Sequence, residues 1–223
     1  MTAARPSVSP EIGWDALIAE WAAGLFMAPP SADAVTSYRE GLGAAFLDIL
    51  EDEIECESGA RRMQRAVIKG SSAAALARKL AVTFTVLFDG AGGHRTVSLY
   101  ESAYVDASGR LFQSPVSDMQ LLLRQADMSI DDTCREPPDH LSIELAVWAR
   151  LMRVGAGRRA QTALVYHHLI AWVPMFADRC RDADDTGFYA GAARVLTGFL
   201  AARHEAFQAS KTFPPMPATQ GND

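Results

Sequence analysis

Apolar residues recur at three- and four-residue spacing along almost the whole of this 223-residue chain, and β-branched alternation between hairpin turn pairs is missing. A helix buries every third or fourth side chain and a strand every second, so the pattern predicts an all-α fold. Trp14, Ile18, Trp21 and Leu25 mark a first helix that ends before Pro29-Pro30, and Leu42, Phe46, Leu50 and Ile54 mark another. A longer helix is expected from Ser71 to Phe88, stopped at Asp89-Gly90-Ala91-Gly92-Gly93, where glycines accept the left-handed conformations that end helices. Thr96 to Tyr104 reads as a short helix, Ser108-Gly109 as a turn, and Pro115 to Met128 as a helix. Long helices follow from Asp139 to Val154, from Arg158 to Arg181 with a local kink at Pro174, and from Asp184 to Ala209. The expectation is a single helical domain of about ten helices. It is open to division into an N-terminal lobe (1–130), a Pro-rich hinge (131–138) and a C-terminal lobe (139–210), with a disordered tail at 211–223.

Composition narrows the function classes. A formal net charge of −6 argues against nucleic acid or an anionic membrane as the principal partner. Residues Ala160 to Ala177 carry no Lys, Arg, Asp or Glu, but Gln161, His167, His168 and Pro174 interrupt them, so a core helix is expected rather than stable membrane insertion. Cys56, Cys134 and Cys180 form no CxxC pair, which suits a reducing compartment. The first ten residues lack the apolar run of a secretory signal, so a cytoplasmic location is expected.

The densest cluster of chemistry is Glu136-Pro137-Pro138-Asp139-His140-Leu141-Ser142-Ile143-Glu144-Leu145. Prolines favour a helix entry here and forbid a helix running through from upstream. Asp139 is then expected in the first turn, with His140 and Glu144 on one face and Leu141, Leu145 and Trp148 on another. Such a trio is either a general acid/base group or a network that caps the helix and locks the hinge. No catalytic signature accompanies it. HExxH and GxSxG are absent, Asp89 to Gly93 lacks the Lys-Ser/Thr ending of a phosphate loop, and the adjacent His167 and His168 point about 100° apart on a helix. No metal or cofactor is expected. Asp48, Glu51, Asp52, Glu53, Glu55 and Glu57, followed by Arg61, Arg62, Arg65 and Lys69, form either solvated helix faces paired with each other or a surface that attracts a basic peptide.

Three blocks, in order, resemble the TorD/DmsD family of cytoplasmic redox-enzyme maturation chaperones: Phe84 to Gly90 (FTVLFDG), Leu99 to Tyr104 (LYESAY) and Glu136 to Leu145 (EPPDHLSIEL). A weaker fourth is His168 to Phe176 (HLIAWVPMF). Trp148 stands where a smaller or differently shaped apolar residue is common in the family, and the N-terminal third carries no family signature. The resemblance implies a chaperone, not an enzyme. It would bind the twin-arginine signal peptide of a molybdenum-cofactor oxidoreductase precursor and assist cofactor insertion before export. By resemblance the signal-peptide site comprises Leu87, Phe88, Tyr100, Glu101, Pro138, Asp139, His140, Glu144, Trp172, Pro174 and Phe176. Two rival readings stand beside it. One is a small-molecule or nucleotide hydrolase using His140 and Glu144. The other is a ligand-responsive all-α regulator, although the first sixty residues are acidic and offer no basic helix-turn-helix. The Pro-rich hinge allows a monomer or a domain-swapped dimer.

Overall fold

The computed structural model describes residues 10–53, 59–68, 71–105, 114–125, 127–155, 161, 164 and 168–209. The chain is a single all-α domain, and among the described residues the only extended pairing is an isolated antiparallel bridge between Tyr100 and His140. The N-terminal helices are α1 (Pro10–Met27), α2 (Ala32–Glu40), α3 (Leu42–Glu53), α4 (Gly59–Ile68) and α5 (Ala73–Phe88). A 3-10 turn (Gly93–Arg95) separates them from α6 (Ser102–Val105) and α7 (Ser114–Gln125). Beyond the Pro-rich segment lie α8 (Leu141–Arg153), α9 (Ile170–Ala183) and α10 (Phe188–Ala209). Ser108-Gly109, His167, Glu55, Glu57 and the tail at 211–223 lie outside the described residues.

Local chemistry sets several of the helix starts. Ser31 and Ser72 cap α2 and α5 by accepting from the amides of Ala34 (3.1 Å) and Ala75 (3.2 Å). α10 starts at Phe188 rather than the expected Asp184, because the Asp184 carboxylate holds the entry turn. Its Oδ1 accepts from the Thr186 amide (2.8 Å) and its Oδ2 from the Ala190 amide (2.9 Å), while Gly187 takes a φ of 78°.

One hydrophobic core runs through helices on both sides of residues 131–138. α1 packs along α8, with the small residues Ala16, Ala19 and Ala22 buried. α4 crosses α10 at paired glycines, where a Cβ on Gly191 would stand 2.7 Å from the Gly59 carbonyl oxygen and 2.7 Å from Met63 Cγ. Gly191→Ala is therefore expected to cost about 1–3 kcal/mol through overpacking. Thermal melts should show a midpoint lower by roughly 2–10 °C, and an unchanged midpoint would mean the crossing can open without penalty.

Thr96 to Tyr104, expected as a short helix, is extended up to Tyr100 and helical only from Ser102. The Val97 amide donates to the Leu87 carbonyl (2.7 Å) and the Leu141 amide to the Leu99 carbonyl (2.8 Å), so this strip pairs with its neighbours instead of closing on itself. The helix expected from Asp139 begins at Leu141 for the same reason.

Candidate binding site

Four segments meet beneath the Pro-rich entry: the end of α5, the extended strip 96–101, the turn 137–140, and the turn that leads into α9. The strip and the entry are tied by Leu141 N–H to Leu99 O and by Glu101 N–H to Asp139 O (3.0 Å). Pro138 and Asp139 occupy a turn closed by the His140 amide donating to the Pro137 carbonyl (3.0 Å), which places Asp139 ahead of the helix rather than in its first turn. His140 is the N-cap of α8: its Nδ1 accepts from the Ser142 amide at 3.2 Å. That bond requires Nδ1 to be unprotonated. Burial pushes the His140 pKa down, against the upward pull of Glu136 and Asp139. Tyr100 lies edge-on to the imidazole at 5.3 Å and donates its hydroxyl to Glu136 (2.7 Å). Its pKa is raised by burial and then by Glu136.

Three carboxylates lie below this surface. Asp139 is buried, and its Oδ2 accepts from both the amide (3.1 Å) and the hydroxyl of Ser102. Glu101 Oε2 stands 2.7 Å from His168 Nδ1, an ion pair whenever the imidazole is protonated. Glu144 is fully buried; its Oε2 accepts from the Trp172 indole N–H (3.2 Å), and its Oε1 has no partner while the acid is ionised. Burial raises the Glu144 pKa well above 4.5, and the neighbouring Glu101 charge raises it further. A proton on Glu144 resolves the conflict, because a neutral carboxyl can donate where an anion would face another anion. The donor atoms of Glu101, Glu144 and His168 lie within 4.8 Å of one another, compact enough to hold a cation in principle. The hydrogen-bonding distance between Glu101 and His168 instead reads as a cluster that shares protons.

The linkage runs in opposite directions for the two groups. A Glu144 pKa raised above its unfolded value contributes stability that is full below about pH 4.5 and is lost as pH rises through the folded value. A depressed His140 pKa contributes stability that is present above about 6.5 and is lost as pH falls. Glu144→Gln keeps an acceptor for Trp172 and a donor toward Glu101 without an ionisable group. Melts across the pH range should show the variant and the parent alike under acid conditions, with the variant's midpoint higher under alkaline conditions, each kcal/mol gained appearing as about 2–4 °C. Parallel profiles would mean that Glu144 is not the titrating group.

The expected site residues are brought together, but most of them face inward. Leu87, Glu101, Asp139, His140, Glu144, Trp172 and Phe176 are buried. Phe88, Tyr100 and Pro138 are half-buried and Pro174 is exposed. Phe88 and Phe176 belong to an aromatic cluster with Phe26. Pro174 borders a separate cavity of about 460 Å³ lined also by Arg62, Arg181 and Arg194. His140 and Glu144 point to different partners, so the acid/base pair drawn from their spacing is not assembled, and both side chains are buried. The geometry is that of a capping and tying network. Sequence reasoning missed Ser102 and the role of His168, which lies in a wide π turn just before α9.

The model of the nitrate reductase delta subunit family matches residues 51–178. The chain is similar to the chaperone protein TorD of Aeromonas salmonicida, 30% identical over 190 residues that cover 81% of this chain and 85% of the relative. It is 28% identical to the chaperone protein TorD of Vibrio cholerae over 191 residues, 81% and 86% of the two chains. A third similarity, 33% over 110 residues, is to the chaperone protein TorD of Photobacterium profundum, covering 45% and 51%. With a family match over more than half its length and most of the chain aligned to chaperones, this all-α protein belongs to the nitrate reductase delta subunit family, to which the TorD-type chaperones belong.

Proposed function

We propose that the chain is a cytoplasmic chaperone, not an enzyme. In this reading it binds the twin-arginine signal peptide of a molybdenum-cofactor oxidoreductase precursor and holds it while the cofactor is inserted, before export. The similarity to TorD chaperones over 81% of the chain carries this reading. The inward-facing motif supports it: Asp139, His140 and Glu144 are each engaged in capping or cross-tying, which stiffens a scaffold. Among the described residues no helix is long and apolar enough to cross a membrane.

A leader peptide has basic residues followed by an apolar segment, which can lie as a helix in a groove. Burying three or four Leu-sized side chains yields about 5–10 kcal/mol, less about 2–5 kcal/mol for ordering the peptide. Hydrogen bonds to charged groups, about 1.5–3 kcal/mol each, lift the remainder toward the ~8 kcal/mol of micromolar affinity. Isothermal titration of the full chain with a twin-arginine leader is expected to show micromolar binding that weakens with salt. Absence of binding together with turnover of a nucleotide would replace this reading with the hydrolase. The chain acts as a monomer or as a dimer formed by exchanging helices about residues 131–138, and light scattering at increasing concentration distinguishes the two.

A further inference from the structure

An exposed apolar surface lies away from the motif. It is an open groove of about 280 Å³ where α1, α2 and α3 meet, lined by Leu17, Trp21, Tyr38, Leu42 and Phe46 among others. Its floor is aromatic and fixed. Trp21 donates its indole N–H to the Tyr38 hydroxyl (2.7 Å) and meets Phe46 edge-on at 5.3 Å, while Tyr38 meets Phe188 of the core at 5.8 Å. Gly43 lets α3 close onto this floor, since a Cβ there would stand 2.9 Å from the Tyr38 ring. The walls are exposed: Leu42 is 87% accessible and Leu17 42%, and Ile49 at 43% continues the α3 stripe one turn on.

The charge carried by the three helices that form the groove is almost all of one sign. No charged side chain lines it, and Asp33 and Glu40, four residues before and three after the lining Ser37, put exposed carboxylates on the same side of α2. Neither makes an ion pair among the described residues. Each of the three helices carries acidic residues, and together they hold a single basic one, Arg39. Its guanidinium is bonded elsewhere, to the carbonyls of Val67 (2.6 Å) and Ser71 (2.8 Å). An aromatic floor, aliphatic walls and an acidic rim match an occupant that is apolar along one face and basic at one end.

We infer that this groove seats the apolar stretch of the client leader, with the leader's arginines against Asp33 and Glu40. The inference rests on the chaperone reading and gives it a location. Rigid aromatic side chains immobilised before binding lose little entropy when covered, which suits a site that must accept a short peptide. A single leader-facing Leu contributes roughly tenfold or more in affinity.

The test is titration of a synthetic twin-arginine leader into the full chain and into Leu42→Ser and Glu40→Lys, with helical content followed by circular dichroism. Both positions are exposed, so both variants are expected to fold. Leu42→Ser should weaken binding about tenfold or more, and Glu40→Lys should weaken it several-fold and flatten its salt dependence. If the parent binds the leader and both variants bind it equally well, the groove is overturned and the chaperone reading stands. If the parent binds no leader, both fall. If Leu42→Ser instead converts a dimer to a monomer without touching leader affinity, a second copy is the occupant and the inference is wrong.

Discussion

Trp172→Ala is expected to remove about 3–5 kcal/mol for the lost aromatic volume, and to leave the Glu144 carboxyl without its donor at a further cost of about 1–3 kcal/mol. Trp172 has no exposed surface, packs against Tyr104 at 5.1 Å and Phe176 at 5.8 Å, and bonds Glu144 Oε2 at 3.2 Å. Domains of this kind have net stabilities of about 5–15 kcal/mol, so the variant should be largely unfolded at body temperature or recovered in aggregates. Trp172→Phe keeps a six-membered ring but loses the pyrrole portion with its N–H, so it combines the lost hydrogen bond with only part of the void. Chemical denaturation should place it between the parent and Trp172→Ala. A Trp172→Ala loss under about 1 kcal/mol would show that the interior closes around the void and that Trp172 is not the anchor between α6, α8 and α9.

The long helices were legible because their periodicity is strong and their packing is mutual. Ile18 and Leu25 of the stripe that marks α1 are buried, and Trp14 and Trp21 pack half-buried beside them. The run up to Phe88 stops where Gly90 takes a φ of 82°. The strip 96–101 was misread although its signal was present. Val97, Leu99 and Glu101 are buried while Thr96, Ser98 and Tyr100 are half-buried, a period of two that a six-residue window between glycines and a short helix barely exceeds noise. The partnership of Glu101 with His168 could not be read at all, since 67 residues separate them and nothing local distinguishes His168 from a buried helical histidine. Leu42 shows the opposite failure. Its spacing to Phe46 and Leu50 reads as a core stripe, but the stripe rotates outward at its N-terminal end, leaving Leu42 on the surface while Leu50 is buried. Periodicity identifies a face; only the neighbouring helices decide how far along the face is covered.

Asp139→Ala carries the second large effect, and its sign separates a structural motif from a contact surface. The Asp139 carboxylate is 1% exposed and its Oδ2 serves two donors of Ser102, while the Asp139 carbonyl ties Glu101. Alanine keeps the backbone bond but removes the buried acceptor that the Ser102 amide and hydroxyl share. Losing the hydrogen bonds that two buried donors make to a carboxylate costs about 1.5–3 kcal/mol each, or on the order of 10 °C in melting temperature for a chain of this size. Asp139→Asn retains an acceptor oxygen for Ser102 and removes the charge, so it is expected to lose less than half as much. If Asp139→Ala unfolds at lower temperature and any residual folded fraction binds the leader with parental affinity, the acid acts by holding the strip 96–101 against the entry to α8. An unaltered melting temperature with lost affinity would instead mean that the Pro137-Pro138 turn opens in solution and presents the carboxylate to the peptide, and the closed entry described above would not be the binding-competent form.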